Sequence, residues 1–224
     1  LRRQVVQAFA KPQLLKQRKE ANGGNHDPLP VDWALAYTIE ILPAFTYLHD
    51  DGLLYCDFKP DNLMQVGDLV KLIDLGGVRR STDDESAIYG TVGYQAPEVA
   101  TAGASIASDI FTIGRTLMVL CAEVPGYQSE FEFTTPPADQ LPAFAQHDSL
   151  YRLLLKCCAR DPNDRFNTAE ELRQQMLGVL REVVATAAGA TASAPLTGRG
   201  GSAWSRWPPG SGRRCRWQRR SNRW

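Results

Sequence analysis

Asp57, Lys59 and Asn62 fall within a single stretch, Tyr55-Cys56-Asp57-Phe58-Lys59-Pro60-Asp61-Asn62, and Asp74 follows twelve residues after Asn62. Two carboxylates, an amide and an ammonium at these separations suit a site that handles phosphate and a hard cation. Transfer of a phosphoryl group to a hydroxyl needs three things: a group that positions or deprotonates the hydroxyl, a cation on the phosphates, and oxygen ligands for Mg²⁺. Mg²⁺ takes few ligands from protein, so one carboxylate and one amide suffice. Asp57, Lys59, Asn62 and Asp74 offer a candidate for each need.

These side chains must be held by something. Asp57, Lys59 and Asn62 are expected on one loop. Asp74 follows an apolar strand, Leu69 to Ile73, and precedes Gly76-Gly77, a pair expected to turn sharply. A helix is predicted from Pro30, with Asp32 in its first turn and Leu35, Ile39, Leu42, Phe45 and Leu48 forming one apolar face. Pro43 should interrupt or kink it, and Asp50-Asp51-Gly52 should end it. Residues 77–105 read as irregular. Ser108 to Cys121 has a helical pattern, with Ser108 as the expected cap. Leu150 to Cys158 forms a further helix, Asp161 to Asp164 a turn, and Thr168 with Glu171 opens a last helix as a capping box.

The 224 residues are enough for one domain with a sizeable core, and 43% hydrophobic and 22% charged residues describe an ordinary globular chain. The zero net charge conceals an asymmetry. Eight arginines, and no acidic residue or lysine, lie beyond residue 185, which leaves 17 basic against 25 acidic residues, a net charge of −8, before it. An acidic body argues against nucleic-acid binding by the globular part. The five cysteines show no C-x-x-C spacing and read as reduced thiols, with a cytoplasmic location expected. No apolar run is long enough to span a membrane.

In order and spacing, these motifs resemble the catalytic loop and metal-binding motif of protein kinases. Gly90-Thr91-Val92-Gly93-Tyr94-Gln95-Ala96-Pro97-Glu98 is similar to the end of a kinase activation segment, Asp109 to the helical aspartate that holds the catalytic loop, and Arg165 to the arginine that pairs with the A-P-E glutamate, here Glu98. The resemblance runs from about Leu35 to Leu180. It implies a mainly α fold: a kinase C-lobe, helical with short β hairpins, with the N-lobe missing. By the same resemblance Asp57 and Lys59 are catalytic, Asn62 and Asp74 hold metal, and Lys59, Asn62, Asp74 and Met64 contact ATP, Met64 beneath the adenine. The implied reaction moves the γ-phosphate of Mg·ATP to Ser/Thr hydroxyls of a protein substrate, with Mn²⁺ as an alternative metal. The stretches Gly52 to Asn62, Lys71 to Gly76, Gly114 to Leu117 and Val179 to Val184 look like bacterial PknG-type Ser/Thr kinases. That family carries a rubredoxin-like module and tetratricopeptide repeats, and this sequence shows neither.

On this reading residues 1–27 are the end of a hinge and a linker, 28–184 the C-lobe, and 185–224 a disordered Arg/Trp-rich tail or an out-of-frame stretch. Tyr55 and Cys56 stand where such kinases have His and Arg, and Leu75 where they have Phe. Tyr55 and Leu75 are expected to fill apolar positions. Without the arginine, a phosphorylated activation loop lacks its cationic partner, so regulation by loop phosphorylation is not expected. Ser81, Thr82 and Ser86 remain candidate phosphosites by type, while composition favours reading them as solvated loop hydroxyls. No glycine-rich loop and no V-A-I-K lysine is found, so the chain alone is expected to be nearly inactive. The alternative is a truncated, non-catalytic binding module, a pseudokinase. His26, His49 and His147 read as surface or helix-end residues, and Cys157-Cys158 as core. No feature fixes an oligomeric state.

Overall fold

The structure, a computed structural model, describes residues 14–66, 69–83 and 90–189. The expectation for the Arg/Trp-rich tail falls almost wholly outside these residues, as do those for Ser86 and the first thirteen positions. Helix α1 (Leu14–Ala21) opens the described chain, so the stretch read as linker contains a helix. Arg18 fastens it to the following loop, pairing with Asp27 at 2.8 Å and donating to the Asp27 and Pro28 carbonyls.

Helix α2 (Val31–Asp50) buries Leu35, Ile41, Leu42 and Phe45. Ile39 and Leu48 are only half-buried, so the apolar face is turned slightly from the predicted one. Pro43 does not interrupt the helix. Its ring is exposed, and helices bend most easily convex toward solvent, so the missing N–H is tolerated there.

Two antiparallel hairpins follow. Strand β1 (Leu53–Leu54) pairs with β4 (Arg79–Arg80), and β2 (Leu63–Val66) pairs with β3 (Leu69–Leu72), Met64 opposite Lys71. The catalytic-looking loop connects β1 to β2, and Asp74 lies just past β3. After the short helix α3 (Val99–Ala102) comes α4 (Ile106–Cys121), around which the core is assembled. Every residue from Ser108 to Cys121 is buried, as expected of a central helix that is apolar nearly all round. The cap is Ser105, not Ser108. Ser105 Oγ accepts from the Ser108 N–H at 3.2 Å, and Ser108 Oγ accepts from the Ser105 N–H at 2.9 Å. A reciprocal Ser/Ser box makes either residue look like a cap in sequence, and the outer one wins because it begins the turn.

Helices α5 (Pro142–Gln146), α6 (Asp148–Cys157) and α7 (Ala169–Ala187) complete the fold. Thr168 caps α7 as predicted, accepting from Glu171 N–H at 3.0 Å. Glu171 reaches back one residue further than expected, to Asn167 N–H at 2.8 Å. Helix α7 lies along α2, and α6 against α4. At the second of these contacts Gly114 is required by space, because a Cβ there would stand 2.5 Å from Cys157 Cβ.

Candidate active site

Three polar side chains on the buried helix α4, Asp109, Arg115 and Thr116, hold the loops around it. Asp109 is 0% exposed, and its carboxylate accepts from Tyr55 N–H (Oδ2, 2.8 Å) and Cys56 N–H (Oδ1, 2.9 Å). Thr116 donates to the Phe58 carbonyl at 2.9 Å. Thr112 satisfies itself on the helix backbone, and Arg115 reaches the loops on the other side. The sequence assigned Asp109 its place, and the geometry agrees. His49 is the residue it missed. It lies at the helix end, in the last turn of α2, but the ring is buried, with Nε2 2.9 Å from Asp109 Oδ2 and, among the described residues, no hydrogen-bond partner for Nδ1. An isolated histidine gives no signal in sequence, since its partner lies 60 residues away.

Between these anchors the chain is forced through a tight bend. Asp57 N–H donates to the Tyr55 carbonyl at 2.9 Å across Cys56, whose φ is +67°. This is a γ-turn of the strained, positive-φ kind in a residue with a side chain. The bend separates the directions of the buried Tyr55 and the half-exposed Asp57. Phe58 is then drawn inward against Phe45, with ring centroids 5.2 Å apart, and Tyr55 packs on both rings. Burial of Phe58 stabilises the loop by about 2 kcal/mol.

The acid and the cation meet directly. Lys59 Nζ lies 2.8 Å from Asp57 Oδ2 and donates to Thr91 Oγ1 at 2.7 Å, while Thr91 Oγ1 donates to Asp57 Oδ1 at 2.7 Å. Thr91 thus closes a ring of three side chains from a segment 34 residues downstream of Asp57. Its motif was recognised from sequence, but its hydroxyl was given no role. A hydroxyl residue in the motif showed that a hydrogen bond could form there, but not with which partner. Each carboxylate oxygen keeps a further lone pair, so an incoming hydroxyl can still be accepted.

Asn62 is buried, and its Nδ2 donates to the Asp57 carbonyl at 2.7 Å, leaving the amide oxygen as the atom it can offer a cation. Asp74 is exposed, and one of its oxygens accepts from Gly76 N–H at 2.8 Å. The two segments are joined by Ile73 N–H to the Asn62 carbonyl (3.1 Å) and by the Tyr55 hydroxyl, which donates to the Asp74 carbonyl. Tyr55 therefore fills a buried position as expected and adds a tether. Burial, with the charges of Asp74 and Asp57 behind it, pushes its phenol pKa up, so it stays a donor. Leu75 departs from expectation. It is 63% exposed, because the turn that aims Asp74 outward carries the next side chain with it. Gly76 and Gly77 form the expected turn, closed by Val78 N–H donating to the Leu75 carbonyl at 3.1 Å, and they do so without positive φ. They are needed for closeness: a Cβ on Gly77 would lie 3.2 Å from Asp57 Cβ and from the Tyr55 carbonyl. Met64 lies half-buried on β2 beside this group.

Among the described residues no cluster of three His, Cys, Asp or Glu side chains could hold a metal on its own. One carboxylate with one amide oxygen is the hard, sparse donor set that suits Mg²⁺ shared with phosphate oxygens. The last anchor lies at the end of the same segment. Arg165 forms a two-pronged pair with Glu98 at 2.6 and 2.8 Å, donates to the Ala159 and Ala107 carbonyls, and covers the Phe111 ring. This is the pairing read from sequence.

The chain is similar to known proteins over most of its length. Residues 4–177 match the protein kinase domain model. The chain is 45% identical over 168 residues to the serine/threonine-protein kinase PknG of Mycobacterium leprae, covering 75% of this chain and 22% of that protein. It is 46% identical over 171 residues to PknG of Mycolicibacterium smegmatis, covering 76% and 22%. More distantly, it is 34% identical over 148 residues to the cytokinesis protein sepH of Emericella nidulans, covering 61% and 11%. The matched region thus spans about a fifth of the length of its PknG relatives. The chain belongs to the protein kinase domain family, and its mycobacterial relatives place it with the PknG serine/threonine kinases.

Proposed function

We propose that this chain carries the phosphate-transferring half of a serine/threonine protein kinase, moving the γ-phosphate of ATP to Ser/Thr hydroxyls of protein substrates. The observation that supports this best is the closed ring Asp57–Lys59–Thr91, in which acid, cation and hydroxyl lie within 2.8 Å contacts on a loop fixed from beneath. In the reaction, Asp57 orients the substrate hydroxyl and takes its proton as the oxygen attacks phosphorus. Lys59 offsets the charge that spreads over the transferring phosphoryl oxygens. Asn62 and Asp74 supply the oxygens that would hold Mg²⁺, or Mn²⁺ in its place, whose chemistry is to neutralise charge on the phosphate chain.

A nucleotide also needs a covering lobe with a lysine–glutamate pair. Among the described residues no glycine-rich phosphate loop is present, so we assign residues 28–184 to the helical lobe and turnover to the protein in which an N-terminal lobe covers it. Met64 on β2 would lie beneath the adenine. An acidic main body and the absence, among the described residues, of a helix apolar enough to cross a membrane fit a cytoplasmic kinase. The deciding experiment measures ³²P transfer from ATP to a degenerate Ser/Thr peptide library by the full-length protein. Asp57→Asn and Asp74→Ala should each abolish it, and undiminished transfer by either variant would defeat the assignment.

A further inference from the structure

The strongest feature left unused by this reading is a buried cation without a carboxylate. Arg115 is 0% exposed on helix α4 and, among the described residues, forms no ion pair. Its guanidinium is instead satisfied by three backbone carbonyls, one on the Thr91–Gln95 turn and two on the loop after α4. Nε donates to Gly93 at 2.7 Å, Nη1 to Thr134 at 2.7 Å and Nη2 to Tyr127 at 2.8 Å. Burial lowers the pKa of Arg115, so the charge is held there at a cost in desolvation. An apolar side chain in a central helix would avoid that cost, and what it would lack is a rigid planar fork able to fix three backbones at once.

Gly93 belongs to the turn whose Thr91 hydroxyl meets Asp57, and Tyr127 and Thr134 to the loop after α4. Gly93 closes the turn that carries Thr91, in which Tyr94 N–H and Gln95 N–H both reach the Thr91 carbonyl at 3.0 and 3.3 Å. With φ at +87°, Gly93 lies so close to the loop after α4 that a Cβ would stand 2.8 Å from the Tyr127 carbonyl. Tyr94 and Tyr127 meet edge to face at 5.7 Å, and Gln128 donates to the Val92 carbonyl at 3.3 Å. The contacts therefore run unbroken from Arg115 through Gly93 and Thr91 to Asp57.

We infer that Arg115 is a positioning residue for the protein substrate: by fastening the Thr91–Gln95 turn to the loop after α4, it sets how an acceptor hydroxyl meets Asp57. This deepens the kinase reading and rests on it. Arg115 hydrogen-bonds to none of Lys59, Asn62, Met64 and Asp74, so its loss should separate acceptor binding from nucleotide binding.

The test uses full-length protein carrying Arg115→Lys, which keeps the charge but loses the fork, and Arg115→Met, which removes both. Arg115→Lys should raise the KM for the peptide library by about tenfold or more while nucleotide affinity stays within about twofold. In hydrogen–deuterium exchange, the Tyr94 and Gln95 amides should exchange at least about tenfold faster than in wild type, while those of Tyr55 and Cys56, held by Asp109, keep their rates. Should Arg115→Met fail to fold, Arg115→Lys decides. A parallel loss of peptide and nucleotide affinity, or unchanged exchange at Tyr94 and Gln95, would overturn the inference. Absence of phosphoryl transfer by the wild type would defeat the kinase reading, and the exchange comparison would still decide whether Arg115 holds the turn.

Discussion

Asp109 Oδ1 accepts a hydrogen bond from the N–H of Cys56 at 2.9 Å, and Cys56 is the one described residue other than glycine with a positive φ, +67°. The strained bend of the Tyr55–Asp57 loop and the buried carboxylate are thus parts of one device. Backbone strain of this kind amounts to roughly 1–3 kcal/mol and persists only where its surroundings over-determine it. Two N–H donors on one carboxylate, with the His49 ring behind, supply that constraint.

Asp109→Ala removes the acceptor for both N–H groups and for His49. We expect a loss of about 3 kcal/mol or more in urea unfolding, together with loss of phosphoryl transfer, because buried donors are left unpaired. Asp109→Asn keeps one acceptor oxygen and should fall between. A stability change below about 1 kcal/mol for Asp109→Ala would show that the loop holds its bend by packing alone.

Removing the guanidinium at Arg165 should be among the most damaging single changes. Its side chain is 0% exposed and its partner Glu98 15% exposed, so Arg165→Met leaves a mostly buried carboxylate alone. The expected cost is about 3–5 kcal/mol by chemical denaturation. Replacing Glu98 as well, by Gln, should recover part of it, since the stranded charge is what makes the single variant costly.

Gly114→Ala tests packing rather than charge. The new Cβ would meet Cys157 Cβ at 2.5 Å, and both belong to helix backbones that cannot easily separate. We expect a loss of about 1–3 kcal/mol in stability. Cys157→Ala should not rescue it, because the offending atom remains, whereas Cys157→Gly should relieve the clash at the expense of its own helix propensity. Thermal unfolding of the two double variants distinguishes them.

Burial, and then the charge of Asp109, push the Cys56 thiol from 9.0 up to about 12. A folded-state pKa raised above the unfolded one means the fold favours the protonated form. Its contribution is complete below pH 9 and is lost as pH rises from 9 toward 12. At pH 8 the thiolate fraction should be about a thousandfold below that of an ordinary cysteine, with alkylation slowed accordingly. Timed iodoacetamide labelling, read by mass spectrometry in native and denaturing buffer, measures this. Equal rates would contradict it.

Much of the site was legible because the chemistry of phosphoryl transfer fixes residue types over short spans. Asp57, Lys59 and Asn62 are separated by one and two residues, and a loop that short leaves them little choice but to lie together. Asp74 was legible because an apolar strand must end before a carboxylate can face outward. The capping errors were local and small: Ser105 and Ser108 are chemically interchangeable in sequence, and only the path of the chain into α4 ranks them. Thr91 lay inside a recognised motif and was passed over because nothing in the motif says which side chain its hydroxyl will meet.

Residue types and short spacings in the chain were enough to show the family resemblance, the order of the main helices and the candidates proposed above for the acid, the cation and the metal-binding oxygens. Packing alone settles that His49 is buried on Asp109, that Leu75 faces outward, that Gly77 lies too close to Asp57 for a side chain, and that Arg115 grips three backbone carbonyls. Each of these depends on which segments are brought together across tens of residues, and helix α4 makes those meetings. A side chain's burial and partners are properties of the packed core, so the pattern around it in the chain cannot specify them.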